Sequence, residues 1–470
     1  MHNRKTLNSD LTHSTRSSSY STAVVMLCLL IWLAGVHTSI ASGAGYIADE
    51  GPVPGSVDEI VSPMSHAFKK PEKRKPSVFP SIRKRLESLS PFWKDSVFDL
   101  NIRSYYFNQD IDVAANNPVA WALGGDLSYK SGWWKDQIQV GATAYTSQGL
   151  YAPEDGDGTM LLAPGQKGIT VLGKAYLNAR ITKDVEASLF RQTFDVPYVN
   201  KHDNRMIPDT FEAYTIKGLS VYNTDFIVSH ITRTKTRDSS TFRYMSEVAG
   251  VSNVKKGLTM AGARYSFTKN IYAGAISQYG WDLWNTLYAE CAGSFQLTDS
   301  SSINLSAQHT DQRSVGDELA GSFNTHVFGG KAVLGHGGYM LTLAFTSTDS
   351  NSDIRSPFGG YPGYCSVVNK DFDRAGEDAW LVGLSYDFGS IGIDGLSGFT
   401  NYVRGDTPDS GSAASPDQEE FDVTVDYRLN YDTPKGIWLR IRSAFVNQKG
   451  PGAQDSKEIR IILNYKLPLL

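Results

Sequence analysis

The chain is 470 residues long and carries 45 Lys and Arg against 49 Asp and Glu, a formal net charge of −4 that gives no reason to expect a nucleic acid as a partner. Its 24 tyrosines, 21 phenylalanines and 43 glycines favour strands joined by tight turns over helices. Cys28 lies in an N-terminal apolar run, and the two cysteines that remain, Cys291 and Cys365, cannot build a disulfide framework or a thiolate metal site.

Residues 1–44 have the order of a secretory signal peptide. A basic start precedes an uninterrupted apolar run over 23–36, and small residues follow that run. The run is too short for a membrane-spanning helix, which needs about 20 residues; an uncleaved anchor stays open as the alternative. We expect cleavage after Ala41 or Ala44, and export to the periplasm, the outer membrane or the medium.

Residues 45–95 are predicted to be an extension that precedes the folded domain. They contain many prolines and a cluster of basic residues between Lys69 and Arg85. Such a composition buries little apolar surface and is typical of a disordered segment. Two interpretations stay open: a solvated spacer, or a basic arm that contacts an anionic envelope polymer or lipid head groups.

The pattern changes at Val97, where segments of about ten residues begin to alternate apolar and polar side chains. In the last segment, Ile459 and Ile461 alternate with Glu458 and Arg460. This period of two is typical of a strand with one face in lipid and the other in water. The pattern predicts about eighteen strands, at 97–107, 120–130, 136–147, 169–180, 184–191, 210–217, 219–232, 257–267, 270–279, 284–296, 302–312, 324–334, 338–347, 378–388, 395–405, 419–430, 436–446 and 457–467.

The predicted connections alternate in length along the chain. Most of the connections that follow an odd-numbered strand are long and polar, and the connections that follow an even-numbered strand are short. The clearest short turns are predicted at 182–184, 217–218, 268–270, 335–338 and 432–435. Short turns at one end and long loops at the other are typical of a meander barrel across the bacterial outer membrane. We therefore predict that residues 96–470 form an all-β, antiparallel up-and-down transmembrane β-barrel.

Motifs for catalysis and metal binding are missing from the sequence. It contains no His-Glu-x-x-His, no Gly-x-Ser-x-Gly, no P-loop and no dinucleotide-binding fingerprint, and its histidines lack metal-ligand spacing. We expect no catalytic residue, no metal and no cofactor, and therefore no enzyme. A barrel-embedded outer-membrane hydrolase and a secreted soluble β-protein stay open as alternatives.

From Val97 to the C-terminus, the residues resemble the OprD family of substrate-specific outer-membrane porins. Residues 203–211 (Asp-Asn-Arg-Met-Ile-Pro-Asp-Thr-Phe) are similar to the family's Asp-x-Arg-x-x-Pro-x-Thr-Phe segment, which is the most specific match. Residues 100–108 resemble its first strand. Further similar segments follow in matching order at 372–380, 386–388, 392–396, 405–406, 436–442 and 460–470.

The resemblance implies a Gram-negative outer-membrane porin of eighteen strands, through which small water-soluble solutes diffuse passively. It also implies a ladder of basic side chains that guides carboxylate-bearing nutrients such as amino or organic acids. The positions that match this ladder are Arg103, Arg180, Arg440, Arg442 and Arg460. The chain departs from the family at Asn401, where an arginine is common, and at Gln109; Arg404 lies close to Asn401 in sequence but on the other strand face by parity.

The family's pore is narrowed by inward-folded extracellular loops, which here would be 193–210 with 348–377 opposite. The candidate residues at this constriction are Asp203, Arg205, Tyr361 and Tyr364. For each pair a structural alternative stays open. In the alternative, Asp203 and Arg205 pair with each other and stabilise their own loop, and the two tyrosines belong to a glycine-rich surface loop.

Arg440 and Arg442 share one strand face and form the best candidate pair for an anion path, because arginine stays charged and its planar fork binds carboxylates. The alternative is a salt-bridged wall in which Asp422, Asp426 or Asp387 neutralises them. Expected partners are outer-membrane lipid and lipopolysaccharide, small anionic solutes and the outer-membrane assembly machinery. A monomer or a homotrimer is expected.

Overall fold

The structure is a computed structural model that describes Met64 and residues 77–112, 116–429 and 436–470. Its main sheet has nineteen strands, one of which is the two-residue strand Arg243–Tyr244. The other eighteen are numbered here in chain order: β1 Val97–Ile111, β2 Val119–Lys130, β3 Ile138–Tyr151, β4 Ile169–Thr182, β5 Val185–Gln192, β6 Thr210–Val221, β7 Thr224–Lys235, β8 Leu258–Ser266, β9 Ile271–Gly280, β10 Trp284–Thr298, β11 Ser301–Ser314, β12 Asn324–His336, β13 Tyr339–Thr348, β14 Asp378–Asp387, β15 Leu396–Asp406, β16 Asp417–Arg428, β17 Ile437–Lys449 and β18 Ser456–Pro468.

Each strand pairs antiparallel with the next one in the chain, and the sheet closes on itself. β1 pairs with β18 in a register that runs from Asp99 opposite Pro468 to Ile111 opposite Ser456. Closure leaves no exposed sheet edge, so the backbone hydrogen bonds of all eighteen strands are satisfied within the sheet. The predicted all-β, up-and-down barrel is confirmed, and every predicted strand overlaps the observed strand of the same number in chain order.

One predicted turn, at residues 217–218, is wrong. β6 continues through Gly218 to Val221, and the hairpin turns at Tyr222 and Asn223, which have φ of 50° and 61°. Two successive residues with positive φ match the twist of the flanking strands. Gly218 instead leaves room for the ring of Phe226, because a Cβ on Gly218 would come within 2.2 Å of Phe226 Cε1. The turn predicted at 432–435 lies outside the described residues.

The two faces of each strand separate as the sequence parity predicted. Ile459, Ile461 and Leu463 of β18 are exposed on the outer surface, whereas Glu458 and Arg460 between them are buried. The outer surface is therefore the apolar face that meets lipid, and the charged face lines the lumen.

The last part of the predicted extension, residues 77–95, contains two short helices, α1 (Pro80–Leu86) and α2 (Pro91–Lys94). Backbone hydrogen bonds tie them to the barrel, from Val78 N to Pro468 O (2.8 Å) and from Gly132 N to Phe92 O (2.8 Å). Of the rest of the extension, only Met64 is among the described residues.

The remaining short elements lie in the connections. They are α3 (Met245–Val248), 3-10 helices at Glu154–Gly156 and Phe388–Ile391, and a small hairpin of Asp195–Val196 with Val199–Asn200. None of the helices in the described part of the chain has the length and apolar character needed to cross a membrane.

Candidate permeation path

The segment 193–209, between β5 and β6, crosses the lumen. At one end of it, Arg103 Nη1 of β1 donates to Asp203 Oδ1 (2.9 Å). At the other end, Tyr198 Oη donates to Thr310 Oγ1 of β11 (2.9 Å). β1 and β11 are on nearly opposite sides of the barrel, because seven strands (β12 to β18) separate them one way and nine (β2 to β10) the other. A segment that contacts both walls narrows the pore.

The loop 349–377, between β13 and β14, packs against this segment. Asn200 Nδ2 donates to Gly360 O (2.9 Å), and Gly360 N donates back to Asn200 Oδ1 (2.9 Å). The ring centroids of Tyr198 and Tyr361 are 6.0 Å apart. The two loops therefore form one constriction, held by an apolar cluster that also includes Phe194, Phe211 and Phe358.

The tip of the loop 349–377 is fastened to the barrel wall by a buried carboxylate. Asn369 N donates to Glu420 Oε1 and Lys370 N donates to Glu420 Oε2, both at 2.7 Å. On the neighbouring wall, Arg460 Nη2 donates to Val368 O (2.8 Å). Glu420 was missed by the sequence reasoning, although its parity with Asp422 places it on the lumen face of β16. It acts as an anchor for the loop.

Four of the five predicted ladder arginines lie on one wall of the lumen. Arg440 and Arg442 come from β17, Arg460 from β18 and Arg103 from β1, and these three strands are consecutive in the sheet. All four side chains are buried from the outside. The fifth, Arg180, is near the C-terminal end of β4, where it pairs with Asp136 and stacks on Trp133.

The alternative of a salt-bridged wall is found at Arg440. Its Nε and Nη2 donate to the two carboxylate oxygens of Asp426, each at 2.6 Å. In this bidentate geometry two N–H groups of the guanidinium bind the carboxylate, and Asp426 neutralises the charge of Arg440. Arg440 is therefore a structural part of the wall.

Arg442 has a different environment from Arg440. Its Nε donates to Thr424 Oγ1 (3.0 Å), whereas its Nη2 is buried without a hydrogen-bond partner among the described residues. Arg460, directly opposite in register, is instead bonded to Glu458. Arg442 thus keeps a donor that no described residue uses.

The departures from the family's ladder also have definite positions. Asn401 is buried on the lumen face of β15, and Arg404 is exposed on the outer face, as parity predicted. Arg404 pairs there with Asp406 (2.8 Å) and Glu419 (3.7 Å). Arg404 therefore does not replace the missing lumen arginine.

Asp203 and Arg205 do not pair with each other in the described interactions. Asp203 binds Arg103, and the Arg205 carbonyl accepts a second hydrogen bond from the same guanidinium. Arg205 Nε donates to Thr159 O (2.9 Å). Burial, together with the nearby charge of Arg460, lowers the pKa of Arg205 to about 9. Both residues hold the segment 193–209 against the wall of β1.

Tyr361 and Tyr364 lie inside the packed loop. Burial raises the pKa of both phenols. Tyr361 packs on Tyr198, and the ammonium of Lys331 lies 4.7 Å from the ring centroid of Tyr364. The tyrosines are thus part of the constriction's core.

Sequence reasoning missed Arg237, which follows β7. Its Nη1 is 2.9 Å from His202 Nε2, and burial lowers the pKa of Arg237. Burial, together with the charge of Arg237, holds the pKa of His202 well below its usual range. Arg237 and His202 lie in irregular loops, where no periodic pattern marks a residue. Lys174 was also missed, although it lies on the lumen side of β4 and its parity with Arg180 predicts that position.

Comparison with known proteins agrees with this architecture. Residues 90–469 match the family described as outer membrane porin, OprD family. Porin D of Pseudomonas aeruginosa is 22% identical over 409 residues, which cover 81% of this chain and 92% of that protein.

Solved structures show the same fold at low identity. P. aeruginosa OccK9 (OpdG) superimposes with a TM-score of 0.74 at 23% identity, covering 81% of this chain and 100% of that one. P. aeruginosa OpdK, solved with vanillate, gives a TM-score of 0.72 at 21% identity and covers 80% and 99%. The chain therefore belongs to the OprD family of outer-membrane porins.

Proposed function

We propose that the protein, exported by its signal peptide, lets small carboxylate-bearing nutrients such as amino or organic acids diffuse passively through the lumen. The observation that carries this proposal is the buried Arg442, whose Nη2 has no hydrogen-bond partner among the described residues and which lies on the lumen wall opposite Arg460. The related porin OpdK was solved with vanillate, itself a carboxylate. Diffusion along such a wall needs no catalytic group.

The chemistry of the wall suits weak and reversible binding. A guanidinium remains charged at any relevant pH and matches a carboxylate through its planar fork. Several such groups in succession give a solute many weak sites, so that it enters and still leaves. Arg440, Arg460 and Arg103 are each paired with a carboxylate, so Arg442 supplies the least neutralised positive charge next to the constriction.

The proposal is tested by ion selectivity in planar bilayers under a salt gradient. Arg442→Gln should shift the reversal potential towards cations, because it removes the least neutralised charge of the path. Arg404→Gln is the matched control, since it removes the same charge from the outer face. Equal reversal potentials for wild type and Arg442→Gln would reject an arginine-guided anion path.

A further inference from the structure

Helix α1 is an addition to the porin domain, because it precedes residues 90–469, which match the family. It is attached beside the C-terminus, at the end of the barrel that carries the short turns. Val78 N donates to Pro468 O (2.8 Å), and Ser77 Oγ donates to Leu469 O (2.7 Å). Short turns face the periplasm in barrels of this kind, so α1 lies at the periplasmic rim.

Apolar side chains on one face of α1 and in the residues that flank it are exposed. Phe79, Ile82 and Leu89 are 46%, 45% and 49% exposed, and the partly buried Leu86 lies between the last two. Their spacing of three and four residues puts Phe79, Ile82 and Leu86 on a single stripe of the helix. A contiguous apolar stripe that no described part of the chain covers indicates a partner with an apolar surface.

Two exposed tryptophans extend this surface along the rim. Trp93 of α2 is 51% exposed, and Trp134, in the connection that α2 contacts through the Gly132–Phe92 hydrogen bond, is 52% exposed. Tryptophan concentrates at membrane–water interfaces because its ring is apolar while its N–H is polar. Two exposed tryptophans at this end of a transmembrane barrel therefore indicate the interfacial layer of the bilayer.

The same helix carries a cluster of basic residues, which is followed by the exposed Glu87. Its last turn contains Arg83, Lys84 and Arg85, and its first turn contains no acidic residue. Arg83 Nη1 donates to Ser96 O (3.0 Å), which orients the helix. Lys84 and Arg85 form no ion pair within the described part of the chain, so both are available to an anionic group.

We propose that α1, with Trp93 and Trp134, is a docking surface for phospholipids with anionic head groups in the periplasmic leaflet of the outer membrane. The apolar stripe enters the acyl boundary, and Lys84 and Arg85 contact the phosphates. Short amphipathic helices with basic and aromatic residues bind membranes in this way. An anionic envelope polymer offers the charge but no apolar layer, and therefore leaves Phe79 and Ile82 unexplained.

The test measures lipid retention by the full mature protein. Purified protein in detergent is mixed with equal amounts of phosphatidylglycerol and phosphatidylcholine, and the lipids that stay bound are counted by native mass spectrometry. We expect the wild type to retain several-fold more phosphatidylglycerol than phosphatidylcholine, and Lys84→Gln with Arg85→Gln to remove this preference. Lys183→Gln with Lys269→Gln is the control, because both lysines are exposed in short turns at the same end.

A second arm separates lipid from polymer. Phe79→Gln with Ile82→Gln should reduce retention of both lipids, with heat-modifiable migration on a denaturing gel showing that the barrel is folded. An unchanged phosphatidylglycerol preference in the Lys84/Arg85 variant overturns the proposal. Binding to purified peptidoglycan sacculi also overturns it, if this binding needs Lys84 and Arg85 but not Phe79 and Ile82. The partner is then the polymer.

Discussion

Arg442 and Arg460 are directly opposite each other in the register of β17 and β18, and both are buried on the lumen face. Like charges opposite one another destabilise a sheet. Glu458 neutralises Arg460, and no ion pair within the described residues neutralises Arg442. The wall thus retains a cost in stability at Arg442, the residue that we propose for the anion path.

Arg442→Gln should stabilise the barrel while it weakens anion selectivity. The glutamine relieves the repulsion from Arg460 and Arg440, which we expect to raise the free energy of unfolding by about 0.5–1 kcal/mol. Reversible urea unfolding in lipid vesicles measures this change. A loss of stability instead would mean that the Arg442 charge is neutralised by a partner.

Arg440→Gln should have the opposite effect on stability. It leaves Asp426 as a buried carboxylate without its bidentate partner, which costs about 3–5 kcal/mol. Adding Asp426→Asn should restore most of the loss, because the uncompensated charge is then removed. A double-mutant cycle from urea unfolding gives the coupling, and additive losses would contradict the pairing.

Glu420→Gln should release the tip of the loop 349–377. The neutral amide accepts only one of the two backbone hydrogen bonds from Asn369 and Lys370 and loses their charge-assisted strength. We expect larger conductance fluctuations. We also expect cleavage after Lys370 when trypsin is added from the extracellular side of proteoliposomes. Glu419→Gln is the matched control, since Glu419 pairs with Arg404 and Lys449 on the outer face of the same strand. Equal cleavage of both variants would exclude an anchoring role for Glu420.

The constriction should respond to pH through Asp209. Burial raises the pKa of this carboxyl to about 7. Its folded pKa is above the unfolded value, so the folded segment binds the additional proton and its stability falls as pH rises from about 4 to about 7. We expect more frequent conductance fluctuations at pH 8 than at pH 5.5, and none of this difference in Asp209→Asn. Asp195→Asn, in the same segment but paired with Lys201 at 3.3 Å, should keep the wild-type response.

The sequence by itself determined the strands and the direction of their side chains. Alternation distinguished Arg460 from Ile461 and Arg404 from Asn401, because successive residues of a strand point to opposite faces whatever the rest of the chain does. Such a local rule is readable from one strand at a time. It also predicted the closed barrel, since eighteen half-apolar strands have no other way to satisfy their backbone in lipid.

Only the tertiary structure decided which charges meet. Parity placed Arg440 and Arg442 on the same face, but the lateral position of Asp426 makes Arg440 part of a salt bridge and leaves Nη2 of Arg442 without a partner among the described residues. Arg103 binds Asp203, 100 residues away, because the segment 193–209 crosses the lumen. Irregular loops carry no period, and their contacts depend on the width of the closed barrel, which no single segment of the sequence encodes.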